Sequence, residues 1–131
     1  MKIISSSRKF LVWQYAVDKK QLLIRSPKGW QTNSTPSEGT NLDLLFNSVK
    51  YWKLPACLIG IELVYPSCEE VSNLESILET KINASELRLI VSNAQQFYVI
   101  ASELEISENN LDIFETTIQQ NIRFRSQVKD E

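Results

Sequence analysis

The sequence predicts a mainly β, α+β domain: an antiparallel curved sheet of six to seven strands, forming a small barrel or sandwich, covered by one or two helices. Three observations support this prediction. Apolar residues alternate with polar ones along much of the chain, the connections between predicted strands are short, and the first strand is apolar on both faces. Short connections imply antiparallel pairing, and burial on both faces implies a closed or strongly curved sheet. The 131 residues and 43% hydrophobic content fit one domain, 1–131.

The first two strands are predicted on either side of a short turn. Residues 9–17 are apolar on both faces, with Gln14 the main exception, which indicates a strand buried on both sides. The run QLLIRS follows after Asp18-Lys19-Lys20, and three connecting residues fit a bulged hairpin although no glycine is present for the left-handed position. Residues 26–41 are rich in glycine, proline and small polar residues, and we expect a flexible surface loop there.

The middle of the chain predicts two further strands. Two alternating sets follow the loop: Leu42, Leu44 and Phe46 in one phase, then Val49 and Tyr51 in the other. The change of phase at residues 47–48 predicts a bulge or a turn, because a slip of one residue moves every side chain to the opposite face. Pro55 ends this ladder. One face of the next strand is then predicted to carry Ile59, Ile61 and Leu63.

A helix is predicted over residues 68–80. Ser67 and Glu70 have the spacing of a capping box, in which the serine hydroxyl accepts from the third helical amide and the glutamate reaches back. One apolar stripe follows at helical spacing: Val71, Leu74, Ile77 and Leu78.

The last third predicts two strands and a second helix. Leu87, Leu89 and Val91 alternate as in a half-buried strand, residues 92–96 turn the chain, and residues 97–106 form a strand that is buried at its start and solvated at its end. Residues 110–121 have helical spacing, and 126–131 are expected to be a frayed tail.

The composition excludes most catalytic chemistry. The chain contains no histidine, which removes Ser-His-Asp and Cys-His catalysis and nearly all catalytic zinc sites, and three glycines leave no phosphate-binding loop. Glu103 and Glu105 alternate outward on a strand end and are interpreted as solvated charges. Cys57 and Cys68 are interpreted as reduced, buried small hydrophobes. We therefore expect a protein that is not an enzyme and uses no cofactor or metal.

Charge is unevenly distributed along the chain. Residues 1–53 carry nine Lys and Arg against three acidic residues, and residues 54–131 carry five against thirteen. All three tryptophans lie in the basic part, so this part is a candidate surface for anions or nucleic acid. The alternative, which we favour, is that strands from the two parts pair and neutralise one another.

A basic and aromatic cluster is the candidate binding site. Its predicted members are Arg25, Lys28, Trp30, Lys50, Trp52 and Lys53. Arg25 and Lys28, on either side of Pro27, would present charge at a turn and anchor an acidic partner, although a solvated basic turn is the plainer interpretation. Trp30 either folds back on the core, which we favour, or anchors a partner.

These features predict a non-enzymatic protein-interaction domain, for example an inhibitor or an immunity-type partner protein. Anion or nucleic-acid binding through the basic, aromatic-rich N-terminal stretch is the alternative. The expected partner is an unidentified protein or a second copy of the chain. No apolar run approaches the ~18 residues of a membrane helix, and the N-terminal segment lacks a small-residue cleavage site. We therefore expect a cytoplasmic protein with no membrane contact.

Overall fold

A computed structural model describes residues 2–29, 39–112, 115, 116 and 118. In this part of the chain six antiparallel strands close into a barrel in the order β1-β2-β3-β6-β5-β4. The elements are β1 (Lys2–Ala16), β2 (Gln21–Ser26), β3 (Asn41–Lys53), β4 (Cys57–Val64), α1 (Cys68–Leu78), a 3-10 helix (Ala84–Glu86), β5 (Leu87–Ser92) and β6 (Gln95–Asn109). The predicted mainly β fold is confirmed, and the curved sheet is a barrel.

The inside of the barrel is a single apolar core. Alternate residues of every strand point inward, so β2 and β3 each contribute a set spaced two apart. The fully buried inward side chains include Phe10, Leu22, Ile24, Leu44, Phe46, Leu63, Ile90 and Val99. These side chains fill the interior of the barrel.

Two smaller apolar layers lie on the outside of the barrel. Helix α1 places Leu74 over β5 and β6, where it packs on Leu87, Leu89 and Ile100. On the opposite flank Ile118 is fully buried against Ala16, Leu23 and Leu45, with Trp13 at the edge. The chain after β6 therefore covers the outer faces of β1, β2 and β3, and this is why those strands carry apolar residues on both sides.

Strand β1 differs from its prediction. It begins at Lys2, well before residue 9, and Phe10 and Ala16 are its only buried hydrophobic residues within the described chain. Val17 is 75% exposed and lies in the turn. The burial of both faces was overestimated because the outer layer reaches β1 only around Trp13 and Ala16. The left-handed position of the hairpin is taken by Lys20, with φ 53°.

Backbone irregularities decide which side chains of β3 and β4 face inward. Ser48 has φ 55°, and the pairing of β3 with β6 shifts between Val49 and Tyr51, which confirms the predicted irregularity near residues 47–48. On β4 the prediction is wrong at Ile59, which is 59% exposed. Gly60, with φ 69°, reverses the phase, so Leu58 takes the inward position.

Helix α1 begins with the predicted capping box. The Ser67 hydroxyl accepts from the Glu70 amide at 3.2 Å, and the Glu70 carboxylate accepts from the Ser67 amide at 2.7 Å. The helix ends at Leu78, two residues before the predicted end, because Glu79 adopts φ 55°. Further on, a two-residue turn with positive φ at Asn93 and Ala94 starts β6 at Gln95, earlier than expected.

The predicted C-terminal helix is wrong over the described residues of its first half and agrees with the structure at Ile118. Residues 110–112, 115 and 116 are not helical, while Ile118 is. The other residues of 110–121 lie outside the described residues, as do the tail 126–131 and residues 30–38, including Trp30. Strand β2 ends at Ser26 and strand β3 begins at Asn41, and most of the predicted loop between them lies outside the described residues. No helix in the described part of the chain has the length and apolar content that crossing a membrane requires.

Candidate functional site

Arg25 is buried, contrary to the prediction that it presents its charge at a surface turn. Its side chain is 0% exposed and forms a two-point ion pair with Asp43, in which Nε lies 2.7 Å from Oδ1 and Nη2 lies 2.9 Å from Oδ2. Nη1 donates to the Glu115 carbonyl at 3.0 Å, and the guanidinium lies 5.3 Å from the centre of the Trp13 ring. Arg25 therefore has no free donor edge for a partner.

The hydrogen bonds around this ion pair hold the chain that follows β6 against the barrel. Asn109 donates to Asp43 Oδ2 at 2.8 Å, and Asn41 donates to the Leu111 carbonyl at 3.0 Å. Lys28 also belongs to this network, since its ammonium donates to the Asn110 carbonyl at 2.9 Å. Arg25, Lys28, Asn41 and Asp43 thus fasten the segment after β6 to the barrel, and we call this group of residues the joint. Arg25 and Lys28 do not form the predicted anchoring turn.

The end of β3 separates the two aromatic residues Tyr51 and Trp52. Trp52 pairs with Val99, a residue of the inner core, and its ring lies 5.9 Å from that of Tyr15 at the end of the barrel. Tyr51 pairs with Ile100, which belongs to the outer layer. Trp52 and Tyr51 are 38% and 43% exposed. The five described members of the predicted cluster therefore do not form one surface: Arg25 and Lys28 lie in the joint, and Trp52 and Lys53 leave β3 on opposite faces. Trp30 lies outside the described residues.

A cleft on the outer face of the barrel joins β3 to the connection between α1 and β5. We call it the β3 cleft; it has a volume of about 480 Å³ and is lined by Lys50, Tyr51, Thr80, Lys81, Ile82, Asn83, Glu86 and Ile100. Such a volume lies within the range of ligand-binding clefts. Ile82 and Ile100 form an apolar floor, and Lys53 leaves β3 on the same face as Tyr51 because side chains alternate along a strand.

The β3 cleft has a net positive charge. Lys50 forms an ion pair with Glu86 at 2.9 Å, so these two charges neutralise each other. Lys81 and Lys53 have no ion pair within the described part of the chain. The Asn83 side-chain oxygen accepts from the Ser85 amide and hydroxyl, so this oxygen is used within the connection. The side-chain NH2 group of Asn83 makes neither of these bonds. Among the described residues, the cleft thus offers the unpaired ammonium of Lys81, the amide of Asn83 and the phenol of Tyr51 above an apolar floor.

Most of the residues lining the cleft were not predicted as site residues. Lys50 was, but Tyr51, Lys81 and Asn83 were not. The connection that carries Lys81 follows the helix, and its approach to β3 depends on how α1 packs over β5 and β6. The one local signal was the position of Tyr51 between two lysines on a strand that ends the basic part of the chain.

The charge asymmetry along the sequence is partly neutralised in space. Lys2 lies 3.1 Å from Glu62, and Lys50 lies 2.9 Å from Glu86, so each pair joins the basic part to the acidic part. The first contact joins the paired strands β1 and β4, as the favoured interpretation expects, whereas Glu86 lies in the 3-10 helix and not on a strand paired with β3. Both contacts lie on exposed side chains and are worth less than about 1 kcal/mol each.

The groups considered for catalysis lie apart from the cleft. Glu103 and Glu105 are exposed as predicted, and the Asn47 amide donates to Glu105 at 2.9 Å. Cys57 and Cys68 are free thiols, but their predicted burial is wrong: both are exposed, at the start of β4 and at the start of α1. Among the described residues no three Cys, Asp or Glu side chains are grouped to hold a metal ion.

Comparisons of this chain with known proteins find no matching family model, no matching curated protein and no matching solved structure.

Proposed function

We propose that the protein is a non-enzymatic interaction domain that binds an acidic segment of a partner protein at the β3 cleft. The observation that carries this proposal is the position of Tyr51, 43% exposed in a cleft that also contains Lys50 and Lys81 and has an apolar floor. Exposed aromatic side chains with cationic neighbours are typical of residues that dominate the energy of an interface. The lysines attract the partner, and Tyr51 with the isoleucine floor supplies the apolar contact.

The placement of Tyr51 and Trp52 on opposite faces of β3 favours a protein segment over nucleic acid as the ligand of the cleft. Single strands bind along a basic groove in which successive bases stack on several aromatic rings. Here Tyr51 is the one aromatic residue that lines the cleft, and Trp52 leaves β3 on the opposite face. Arg25, a member of the predicted basic and aromatic cluster, is buried. An acidic chain that carries apolar residues matches the cleft better, because its carboxylates meet the lysines and its apolar side chains meet the floor.

A peptide-binding experiment tests this proposal. The probe is a fluorescein-labelled peptide that alternates Glu with Leu, measured by anisotropy against the wild-type protein and against Lys81→Glu, Tyr51→Ser and Lys2→Glu. Lys2→Glu is the matched control, because it makes the same charge change outside the cleft. We expect Lys81→Glu and Tyr51→Ser each to weaken binding by about tenfold, a change of ~1.4 kcal/mol, and Lys2→Glu to change it little.

Two results would contradict the proposal. Equal weakening by Lys81→Glu and Lys2→Glu would show that the peptide responds to overall charge and not to the cleft. Tighter binding of a single-stranded oligonucleotide than of the peptide, with the same dependence on Tyr51, would favour the nucleic-acid alternative.

A further inference from the structure

The environment of Arg25 shows how this fold satisfies a buried arginine. An aromatic ring lies against the guanidinium, at 5.3 Å for Trp13. A backbone carbonyl, that of Glu115, accepts from Nη1. The remaining edge, made of Nε and Nη2, donates in parallel to the two oxygens of Asp43. A planar guanidinium edge and a planar carboxylate match in this way because their donor and acceptor spacings are alike.

Arg88 on β5 has the same environment except for the carboxylate. Its side chain is 8% exposed, its guanidinium lies 5.5 Å from the centre of the Tyr65 ring, and its Nη1 donates to the Ser85 carbonyl. In the part of the chain that the structure describes, neither Nε nor Nη2 of Arg88 has a hydrogen-bond acceptor. Among the described residues, Arg88 therefore has no counterpart of Asp43.

The free edge of Arg88 is within reach of solvent. Among the described residues, a side-chain polar atom that is both buried and without a hydrogen-bond partner occurs at Gln21 Oε1 and not at Arg88. The nitrogens of Arg88 that lack a partner therefore retain contact with water. Tyr65, which covers the guanidinium, is 42% exposed. Arg88 and Trp52 both pair with Val99, so they lie two strand spacings apart, about 10 Å, on the inner face at one end of the barrel.

We propose that Arg88 binds a carboxylate supplied by another molecule, through Nε and Nη2, with Tyr65 against its guanidinium. A carboxylate fits this edge, because Nε and Nη2 are two parallel donors in one plane and the same edge of Arg25 donates to the Asp43 carboxylate. The site shares no residue with the β3 cleft and does not depend on the function proposed for it. The carboxylate comes from a small organic acid or from a peptide, and the chemistry at Arg88 is the same for both.

The side-chain Nε–H signals of the arginines in ¹H–¹⁵N NMR spectra test this proposal in the unmodified protein. Sodium acetate is titrated against sodium chloride of equal ionic strength, and Arg25 serves as the internal control because its edge is already bonded to Asp43. We expect the Arg88 signal to move with acetate and to saturate, while the Arg25 signal stays in place. Equal displacement by chloride, or no displacement of the Arg88 signal by acetate or by either peptide below, overturns the proposal.

Two further arms identify the geometry and the source of the carboxylate. Arg88→Lys keeps the charge but lacks the parallel donors, so we expect acetate to bind at least about tenfold more weakly, as judged from the backbone signals of Ser85 and Tyr65. Unchanged affinity in Arg88→Lys would contradict binding through the planar edge. Peptides with a free and with an amidated C-terminus separate the sources. Stronger binding of the free form assigns a terminal carboxylate, and weaker binding of both peptides than of acetate assigns a small acid.

Discussion

Replacing Asp43 with alanine removes the partner of a completely buried cation. Arg25 and Asp43 are 0% and 1% exposed, and Asp43 accepts two bonds from Arg25 and one from Asn109, all between 2.7 and 2.9 Å. A buried charge without its partner costs about 3–5 kcal/mol. The whole fold of a domain is stabilised by roughly 5–15 kcal/mol, so Asp43→Ala is expected to remove a large fraction of the stability.

The double variant Arg25→Met/Asp43→Leu separates the cost of an unpaired charge from the value of the pair. Apolar residues of similar volume remove both charges, and such replacements are often neutral or stabilising. We therefore expect the double variant to be more stable than Asp43→Ala alone. It still loses the bond from Arg25 to the Glu115 carbonyl, which limits the gain.

Urea denaturation followed by tryptophan fluorescence measures both variants, and Trp13 next to Arg25 reports on the joint itself. A loss below about 1 kcal/mol for Asp43→Ala is what an exposed ion pair would give, and it would refute the argument from burial. A double variant that is no more stable than Asp43→Ala would refute the argument from the unpaired charge.

Three further predictions concern the outer layers of the barrel. Ile118→Ala is expected to cost about 2–5 kcal/mol in the free energy of unfolding, because Ile118 is fully buried on Leu23. A cost as small as that of an alanine substitution at an exposed position, measured in the same denaturation assay, would contradict the packing. Ser67→Ala is expected to cost about 1 kcal/mol through loss of the cap, and an unchanged unfolding midpoint would contradict it. The hydrogen bond from the Ser67 amide lowers the pKa of Glu70 from 4.5. The advantage of wild type over Glu70→Gln should therefore be complete above pH 4.5 and disappear as the pH falls through the lowered pKa, whereas an advantage independent of pH would contradict this assignment.

Elements with a strong local signal could be predicted from the sequence. The Ser67–Glu70 capping box contains its own start signal, and the mainly β fold follows from alternation that recurs along the chain. The exposed face of β4 could not be predicted, because it depends on a left-handed Gly60 and on a pairing shift in β1 that hydrophobic alternation alone does not reveal.

The predicted site failed where residues distant in sequence meet. Arg25 stands next to a proline and a glycine, which is typical of an exposed turn, yet its partner lies 18 residues later. One available signal was the outward position of Leu23 two residues before Arg25, since an apolar outward residue indicates that this face is covered. For Lys50 and Lys81 no such signal exists, because only the packing of α1 brings the connection after it to β3.

The closed strand order has a consequence for how the chain acquires its structure. β1 is joined to β4, and β3 to β6, across long stretches of intervening chain, so about half of the ladder forms only after distant segments meet. Pairings of this kind slow folding, since chain entropy is lost before the contacts compensate for it. The first two strands can meet early as a hairpin, but Arg25 and Asp43 stay hydrated until the segment after β6 arrives. Chains caught before that step expose unpaired strand edges and are the ones expected to aggregate.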